Sequence, residues 1–410
     1  MRQKRILFLG ASHFQIPPIK YAKQQGHYVI TCDYLPENPG HQFADEYYNV
    51  STTDQEAVLK LSEDLGIDGI VAYASDPAAP TQAYVGNKLG LPSNPYESVL
   101  ILARKDLFRD FLSKHHFLVP KSKAFDNYED SKEWFDELDK PVVVKPVDSS
   151  GSKGVKKIYS KSELKNAFDY AIGFSRAKRV IIEEFFVRSG YQVAGDGFIV
   201  DGELVFRCWA NEHFDKLCNP FVPIGESFPS IMNEYTLNQA HAETQRLLDL
   251  LKMRQGALNF DFHYNKDGDF SFLELGPRNG GNLIPEVIKY ATGVDLVKYT
   301  VDSALGLDCS DLHQRETQGY FSSYMLHAVE NGKVKDIWLS EEIKQNIIEK
   351  NIFVKKGDEV KKFDGSNHTL GTFILKFESQ QEMLEKMDNM EKYLKVVVSH
   401  DDNALHSKYS

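Results

Sequence analysis

Short apolar runs that alternate with amphipathic stretches dominate the beginning of the chain. Ile6–Leu9, Tyr28–Asp33 and Gly69–Tyr73 have the length and composition of buried strands, and Asp54–Leu65 has helical spacing. A strand–helix–strand order of this kind builds a parallel sheet with helices on its faces. Residues 1–112 are therefore predicted to form an α/β domain.

The rest of the chain is long enough for further domains. With 410 residues, of which 42% are hydrophobic, two or three domains are expected. Val119-Pro120 interrupts the pattern, and alternating strands and helices then continue to about residue 305. Three strand-like runs follow before a helix rich in Glu, Met and Lys, at Tyr320–Leu326, Ile352–Val354 and Thr372–Phe377. Domains are predicted at residues 113–305 and 306–410, the last a small α+β unit.

Charge and cysteine content exclude several kinds of partner. The formal charge is 48 − 59 = −11, and lysines are scattered among acidic residues, which argues against a nucleic-acid-binding surface. Four cysteines without a CxxC pair fit a reducing compartment. The apolar run Ile6–Leu9 is too short for a signal peptide or a membrane span. We expect a cytoplasmic protein with neither nucleic acid nor membrane as a partner.

The segment Pro141–Val155 is the strongest candidate for a phosphate site. An apolar strand ends in Lys145 and is followed by a loop of small residues, Ser149–Gly154. A lysine at a strand end offers a fixed ammonium, and small residues let backbone N–H groups approach a polyphosphate. Alternatively, the segment is a solvated hairpin turn in which Lys145 and Lys153 are ordinary surface charges.

A second strand, Val180–Val187, carries acidic and aromatic residues at its end. Glu183 could accept a hydrogen bond from a purine amino group, while a backbone N–H near Phe186 donates to the ring. The alternative is a charge pair at the edge of a sheet.

The segments Gly256–Tyr264 and Phe270–Leu275 flank an Asp-Gly turn and are predicted to form a β-hairpin. Pairing these strands brings Asp261 near Glu274, and two acids on one face are costly unless a cation neutralises them. Carboxylate oxygens together with ATP phosphates suit Mg²⁺. The alternative is an exposed hairpin with unrelated acids.

Two further positions could face a substrate. Arg278, in a Gly-rich segment, could hold a carboxylate, its acyl phosphate or the oxyanion that follows, or it could form a structural ion pair. Ser75 and Asp76 follow the strand Gly69–Tyr73, where ligands of parallel sheets gather. Capping of the next helix by Asp76 is the simpler interpretation.

Together these residues resemble the ATP-grasp enzymes in order and approximate spacing. The matching positions are Lys105, Lys145, Ser149–Gly154, Glu183, Asp261, Glu274 and Arg278. The superfamily includes biotin carboxylase, glycinamide ribonucleotide synthetase, the formate-dependent purine transformylase and L-amino-acid ligases. The resemblance covers essentially the whole chain. It implies a Rossmann-like pre-ATP-grasp α/β domain, an ATP-grasp core of two α+β subdomains with a lid at about residues 120–185, and a C-terminal α+β domain.

The resemblance also implies cofactors and residue roles. The cofactors would be ATP and Mg²⁺, with Mn²⁺ as an alternative ion. The residues implied in ATP binding are Lys105, Lys145, Ser149, Ser150, Gly151, Ser152, Gly154, Glu183, Glu184, Phe186 and, where many relatives have a ribose-binding acid, Gln192. Asp261 and Glu274 would hold the metal, and Arg278 and Lys145 would act in catalysis.

One position departs from the family pattern. Many relatives read Glu-x-Asn-x-Arg after the second metal acid, whereas Gly276 stands where that asparagine would be. Asn282 or water could replace the missing ligand. The change favours an amide-forming branch over one similar to biotin carboxylase, and the chain has no biotinyl-lysine segment.

The implied reaction is ATP-dependent carboxylate–amine ligation through an acyl phosphate, with release of ADP and phosphate. Its partners would be a small carboxylate and an amine, and a homodimer would match similar enzymes. Two other interpretations stay open. The chain could be a purine-pathway or bicarbonate-activating enzyme that forms carboxyphosphate, or an ATP-binding module without catalysis.

Overall fold

The structure, a computed structural model, describes residues 3–399. Its first part contains nine regular elements: β1 (Arg5–Leu9), α1 (Ile16–Gln24), β2 (Tyr28–Cys32), β3 (Glu46–Tyr48), α2 (Gln55–Leu65), β4 (Gly69–Val71), α3 (Ala79–Leu89), α4 (Tyr96–Ala103) and α5 (Lys105–Lys114). The strands form a parallel sheet in the order β3-β2-β1-β4, which we call the N-terminal sheet.

The N-terminal sheet confirms the α/β fold predicted from the alternating runs. β1 lies between β2 and β4 and aligns Leu7 with Ile30 and Ile70, all three fully buried. Strands buried on both faces read as continuous apolar runs, which explains the sequence pattern. The Asp54 side chain caps a backbone N–H at the start of helix α2. Gly66, in the left-handed conformation, follows the last residue of the helix.

A second, smaller sheet follows, with the elements β5 (Ser122–Phe125), α6 (Tyr128–Asp136), β6 (Val142–Pro146), β7 (Lys156–Ile158), α7 (Lys161–Phe174) and β8 (Val180–Glu184). Its strands are antiparallel in the order β5-β8-β6-β7, and we call it the small sheet. Val142 and Val144 pack into the apolar core beneath α6 and α7. The pleat turns Val143 and Lys145 to the opposite face, because successive side chains of a strand alternate.

The next part of the chain supplies the first strands of the largest sheet and three helices. Its elements are β9 (Gln192–Val200), β10 (Glu203–Phe214), β11 (Pro223–Phe228), α8 (Glu234–Leu251), β12 (Gly256–Tyr264), β13 (Phe270–Gly276), α9 (Ile284–Thr292) and α10 (Leu296–Ala304). Strands β12 and β13 form the predicted hairpin, with Asp261 directly opposite Glu274. A β-bulge follows Asp261 and breaks the regular register there.

The C-terminal part contains β14 (Tyr320–Leu326), β15 (Gly332–Leu339), α11 (Glu341–Lys344), β16 (Ile347–Ile352), β17 (Glu359–Val360), β18 (Gly371–Phe377), α12 (Gln380–Asp388) and β19 (Leu394–Ser399). Three of these strands extend the largest sheet into eight antiparallel strands, β13-β12-β9-β10-β11-β14-β18-β16, which we call the central sheet. Strands β17, β15 and β19 form a separate sheet.

The predicted strand at Ile352–Val354 is wrong in position. The observed strand, β16, covers Ile347–Ile352 and pairs with β18. Ile352 lies opposite Gly371, the first residue of β18, so the ladder ends there. The strands at β14 and β18 and the following helix α12 are confirmed.

None of the helices within residues 3–399 combines the length and apolar character needed to cross a bilayer. All four cysteines are free thiols.

Candidate active site

The N-terminal, small and central sheets meet around a cavity of about 680 Å³. Ser12, Asp33 and Asp76, which follow the carboxyl ends of β1, β2 and β4, form part of its wall. Fourteen of the fifteen predicted site residues also line it: Lys105, Lys145, Ser149, Ser150, Gly151, Ser152, Glu183, Glu184, Phe186, Gln192, Asp261, Glu274, Arg278 and Asn282. The structure thus gathers residues from five strands and their loops at one place.

Lys145 and Glu183 form a buried ion pair across β6 and β8, at adjacent strands of the small sheet. The second Glu183 oxygen accepts from Arg109 Nε at 3.0 Å. Burial favours a neutral carboxyl, but the two cations prevail and lower the pKa of Glu183 to about 2. Burial lowers the pKa of Lys145 to about 8. Glu183 stabilises the ammonium charge and opposes this shift, whereas Arg109 and Lys105 add to it. Both Glu183 oxygens are therefore engaged by protein cations.

Lys105 lies at the start of α5 and connects the loop after β6 with the β12–β13 hairpin. Its Nζ donates to the Ser149 carbonyl at 3.0 Å and lies 3.3 Å from Glu274 Oε2. Its backbone N–H donates to Val147 at 2.8 Å. The ammonium is thereby held beside the first residues of the glycine-rich loop.

The glycine-rich loop, residues 149–154, contacts the β10–β11 connection and the C-terminal part of the chain. The Ser152 hydroxyl donates to the Phe221 carbonyl, and Gly151 packs against Ser366. Gly151 has φ of +62°, and a Cβ there would lie 2.4 Å from the Ser366 hydroxyl. Gly154 is the predicted residue outside the cavity wall, since it is buried against Pro146.

Asp261 and Glu274 face each other on β12 and β13. Burial and then the neighbouring Glu274 raise the pKa of Asp261 to about 7. Burial opposes the charge of Glu274 as well, but Lys105 and Arg278 keep its pKa below the ordinary value. Two facing carboxylates, one of which has too little positive charge nearby to balance its own, fit a divalent cation such as Mg²⁺. Asn282 lines the same cavity.

Gln192, at the start of β9, holds Asp261 in place. Its Nε2 donates to Asp261 Oδ1 at 3.0 Å, and its Oε1 lies 2.7 Å from His263 Nε2. The His263 ring lies 5.6 Å from that of Phe186, on the base-binding side proposed from the sequence. Gln192 therefore contacts a predicted metal ligand in addition to lining the cavity.

Arg278 and Asp76 join the central sheet to the N-terminal sheet. Arg278 Nε donates to Asp76 Oδ1 at 2.7 Å, and Nη2 lies 2.6 Å from the same oxygen. Burial opposes the guanidinium charge, but Asp76, Asp196 and Glu274 together raise the pKa of Arg278. The simpler interpretation of Asp76 as a helix cap is wrong, because α3 is preceded by Ala78 and has no side-chain capping bond.

A comparison with known protein families agrees with this geometry. The family of the carbamoyl-phosphate synthase L chain, ATP binding domain, matches residues 104–312, which is just over half of the chain. The chain belongs to this ATP-grasp family. The resemblance predicted from the motifs is thereby confirmed.

Individual relatives of this ATP-grasp protein are distant. The carbamoyl phosphate synthase large chain of Thermoanaerobacter sp. (strain X514) is 28% identical over 236 residues, 57% of this chain and 21% of that protein. Across the first curated relatives, the chain spans 57%, 21% and 51% of their lengths.

Solved ATP-grasp structures share the fold over nearly the whole chain. The L-amino acid ligase from Bacillus licheniformis superposes with a TM-score of 0.79 at 19% identity, covering 98% of this chain and 100% of that one. Phosphoribosylglycinamide synthetase from Anaerococcus prevotii gives 0.74 at 22% identity, covering 97% and 100%. The predicted combination of an α/β part with α+β parts is confirmed.

Three acidic residues of the ATP-grasp core escaped the sequence analysis. Glu212 on β10 and Glu226 on β11 are register partners and line the cavity. Within residues 3–399, one carboxylate oxygen of each has no hydrogen-bond partner. Burial above all raises the pKa of both well above the ordinary value. The alternation of side chains along β10 and β11 was the available signal, but the pairing of these two strands was not predicted.

The third, Asp196 on β9, supports the segment that follows Arg278. It accepts the Gly280 N–H at 2.8 Å and Asn259 Nδ2 at 2.9 Å. Burial raises the pKa of Asp196 to about 7. Asp196 lies inside the apolar strand Gln192–Val200 and belongs to no recognised motif. Arg109, in helix α5, was likewise not singled out from the sequence.

Proposed function

We propose that this ATP-grasp protein is an ATP-dependent carboxylate–amine ligase, which forms an amide through an acyl phosphate and releases ADP and phosphate. One observation supports this most. Lys105, Lys145 and Arg278 lie around the same cavity as the facing acids Asp261 and Glu274. Such a site provides for both a polyphosphate and the charge that develops when a phosphoryl group is transferred.

In this proposal ATP lies between the small sheet and the central sheet. Lys105 and Lys145 would neutralise phosphate oxygens, and the backbone of residues 149–152 would close over them. Because the Glu183 carboxylate already binds Lys145 and Arg109, its role is to hold Lys145 toward the phosphates, and adenine recognition rests on Glu184 and Phe186 nearby.

Asp261 and Glu274, with Asn282, would hold Mg²⁺. Bound there, Mg²⁺ supplies charge neutralisation on the ATP phosphates and orients them for in-line transfer. Gln192 keeps Asp261 in position through its hydrogen bond.

The substrate carboxylate would bind near Arg278, whose guanidinium can pair with a carboxylate in two hydrogen bonds. Transfer of the terminal phosphoryl group to the carboxylate breaks its bond to ADP and gives the acyl phosphate. Arg278 would then stabilise the oxyanion formed when the amine attacks. The closed loop at residues 149–154 would keep water away from this intermediate.

Among residues 3–399, Glu212 and Glu226 each keep one carboxylate oxygen without a hydrogen-bond partner, which favours an amine as the second substrate. A buried, unpaired carboxylate is stabilised by a cationic ligand, and an ammonium supplies both charge and hydrogen-bond donors. With a raised pKa, either acid could also take a proton from the ammonium. The free amine would then attack the acyl carbon, and phosphate would leave.

This proposal extends to the setting of the reaction. We propose small-molecule substrates and a cytoplasmic location, in line with four free thiols. We also propose domains at residues 1–112, 113–305 and 306–410 and a homodimer, which size-exclusion chromatography with light scattering would test.

The decisive assay measures ADP and phosphate release with ATP and Mg²⁺ against a panel of amino acids, other carboxylates, bicarbonate and amines. We expect a product whose mass equals acid plus amine minus water. Glu226→Gln should raise the KM for the amine more than that for ATP, whereas Glu203→Gln, an exposed acid on β10, should change neither. Turnover with bicarbonate alone, or ATP binding without any turnover, would contradict the proposal.

A further inference from the structure

A second cluster of metal-ligating side chains lies outside the cavity wall. Asp215 and Cys218 belong to the connection between β10 and β11, and His327 directly follows β14. One carboxylate oxygen, the thiol sulfur and one imidazole nitrogen all lie within 4.8 Å of one another. Asp215 Oδ2 is 3.0 Å from His327 Nε2. His327 is far from the other two residues in sequence, so the fold assembles the cluster.

The backbone orients two donors of the cluster inward. His327 Nδ1 lies 2.8 Å from the Met325 carbonyl, a contact that an N–H at Nδ1 satisfies, and this directs Nε2 toward Asp215. Asp215 Oδ1 accepts the Leu217 N–H at 2.6 Å, and Oδ2 pairs with His327 Nε2 at 3.0 Å, so a bound cation would take the place of the proton between these two atoms. Hydrogen bonds of this kind, from an imidazole to a carbonyl or from a donor to a carboxylate, are the usual support for metal-binding side chains.

The His327 ring is fixed by packing as well as by hydrogen bonding. Its side chain is 2% exposed, and its centroid lies 4.7 Å from the Phe363 ring and 5.9 Å from the Tyr324 ring. A ligand held in one orientation loses little entropy on binding, which favours a preformed site. Cys218, in contrast, is half-buried, which leaves room for a water on the outer side.

From these observations we propose that Asp215, Cys218 and His327 bind a zinc ion. Nitrogen, thiolate sulfur and carboxylate oxygen are the three donor types that zinc takes in proteins, and water can complete a tetrahedral set. Mg²⁺ avoids thiolates, so this donor set differs in chemistry from the Asp261–Glu274 pair.

The position of the site gives the ion a structural consequence. The same connection supplies Pro220, Phe221 and Val222 to the cavity wall, and the Phe221 carbonyl accepts from Ser152 in the glycine-rich loop. Zinc would fasten this connection to the end of β14. It would thereby stiffen the surface on which the loop closes.

Zinc binding to the full chain tests the proposal directly. The protein is stripped with a chelator, dialysed, and titrated with Zn²⁺ by calorimetry, with metal content checked by elemental analysis. We expect one zinc per chain and a rise in the unfolding temperature on binding. Cobalt(II) in place of zinc should give a thiolate-to-cobalt charge-transfer band.

Variants separate this site from the catalytic acids. Cys218→Ser and His327→Gln should each lower zinc affinity by more than the roughly 10- to 100-fold that loss of an outer contact costs, and Cys218→Ser should abolish the cobalt band. Cys309→Ser, a thiol elsewhere, and Glu274→Gln, in the proposed magnesium site, should retain both signals. The proposal is overturned if the wild type binds no zinc, if Cys218→Ser binds it unchanged, or if Glu274→Gln loses it. None of these readouts requires ligase activity.

Discussion

Lys145 is the residue at which we expect protonation and ATP binding to be coupled. It has one anionic neighbour, Glu183, and two cationic ones, Arg109 and Lys105, whereas Glu183 has two cations within reach. Burial lowers the pKa of Lys145, and the two cations lower it further, whereas at Glu183 the two cations outweigh burial and lower the pKa there as well. The charged form of Glu183 is stabilised, and the charged form of the buried Lys145 is destabilised.

ATP affinity should therefore fall at alkaline pH. In the free protein Lys145 loses its proton as the pH rises through about 8, and bound phosphates favour the charged form. Binding above that pH should take up a proton, and affinity should decline by up to about tenfold per pH unit. Calorimetry at about pH 7 and about pH 9, in buffers of different ionisation enthalpy, would measure both effects. Lys145→Met should show neither, and a pH-independent wild type would contradict the assignment.

Glu183 should contribute to acid resistance. Its folded pKa of about 2 lies below the ordinary 4.5, so its stabilising effect is complete above pH 4.5 and is lost as the pH falls toward 2. Glu183→Gln leaves two buried cations without their anion and should cost about 3–5 kcal/mol near neutral pH. Denaturant unfolding at several pH values would test this. The gap between the two proteins should narrow below pH 4.5, and a constant gap would argue against the ion pair.

Lys145 and Glu274 should both be needed for turnover. Lys145→Met keeps the buried stem and removes the charge, and Glu274→Gln removes a charged oxygen from the proposed metal pair. Each should lower kcat for ADP formation by about 100-fold or more. Lys123→Met and Glu203→Gln, at exposed positions on β5 and β10, are matched controls. Circular dichroism should remain unchanged, and near-normal turnover of either site variant would overturn its role.

At the scale of elements, the glycine-rich loop depends on Gly151. Alanine there would adopt a left-handed conformation at a cost of about 1–2 kcal/mol and would meet the Ser366 hydroxyl. We expect Gly151→Ala to raise the KM for ATP about tenfold, because this cost disfavours the loop conformation that we propose for ATP binding. Protection of the loop by ATP against limited proteolysis should weaken in parallel.

Gly173 provides the control for that loop variant. It lies inside α7, where a Cβ added to the glycine would have no atom within 4 Å, so Gly173→Ala should leave ATP binding unchanged. Alanine should even favour the helix by up to about 1 kcal/mol. An unchanged KM in Gly151→Ala would mean that ATP binding does not need the left-handed conformation of Gly151.

At the scale of the whole molecule, the contact between Arg278 and Asp76 couples two sheets across 202 positions of sequence. Asp76→Asn should free Arg278 from its anion, and Arg278→Lys should lose the paired geometry. A double-mutant cycle on kcat/KM for the carboxylate should give a coupling of about 0.5–3 kcal/mol. Strictly additive effects would indicate that the two residues act separately. Glu97→Gln, on α4 of the same part of the chain, is a control.

The central sheet crosses one of the proposed domain boundaries. The proposed boundary after residue 305 separates β11 from β14, yet these strands are hydrogen-bonded neighbours. The C-terminal part therefore completes the sheet that carries the site. Nothing in the sequence indicated this pairing, because strand pairing across a long insertion leaves no local signal.

Local chemistry was sufficient to predict a substantial part of this protein. Residues Ile6–Leu9 and Tyr28–Asp33 indicate buried parallel strands, and the Asp-Gly turn sets Asp261 opposite Glu274, because burial and turn geometry act over short distances. The lysine and glycine-rich segment at Pro141–Val155 predicted a phosphate site for the same reason. Hydrogen bonding and backbone freedom are properties of neighbouring residues.

The tertiary structure alone decided what these groups contact. Arg109 meets Glu183, Asp76 meets Arg278, and Glu212 lies beside Glu226 only because separate elements converge on one cavity. Their charges become significant through burial, which raises or lowers pKa values and cannot be inferred from residue type. Long-range packing, and not the local pattern, therefore determined which acids form ion pairs and which line the cavity.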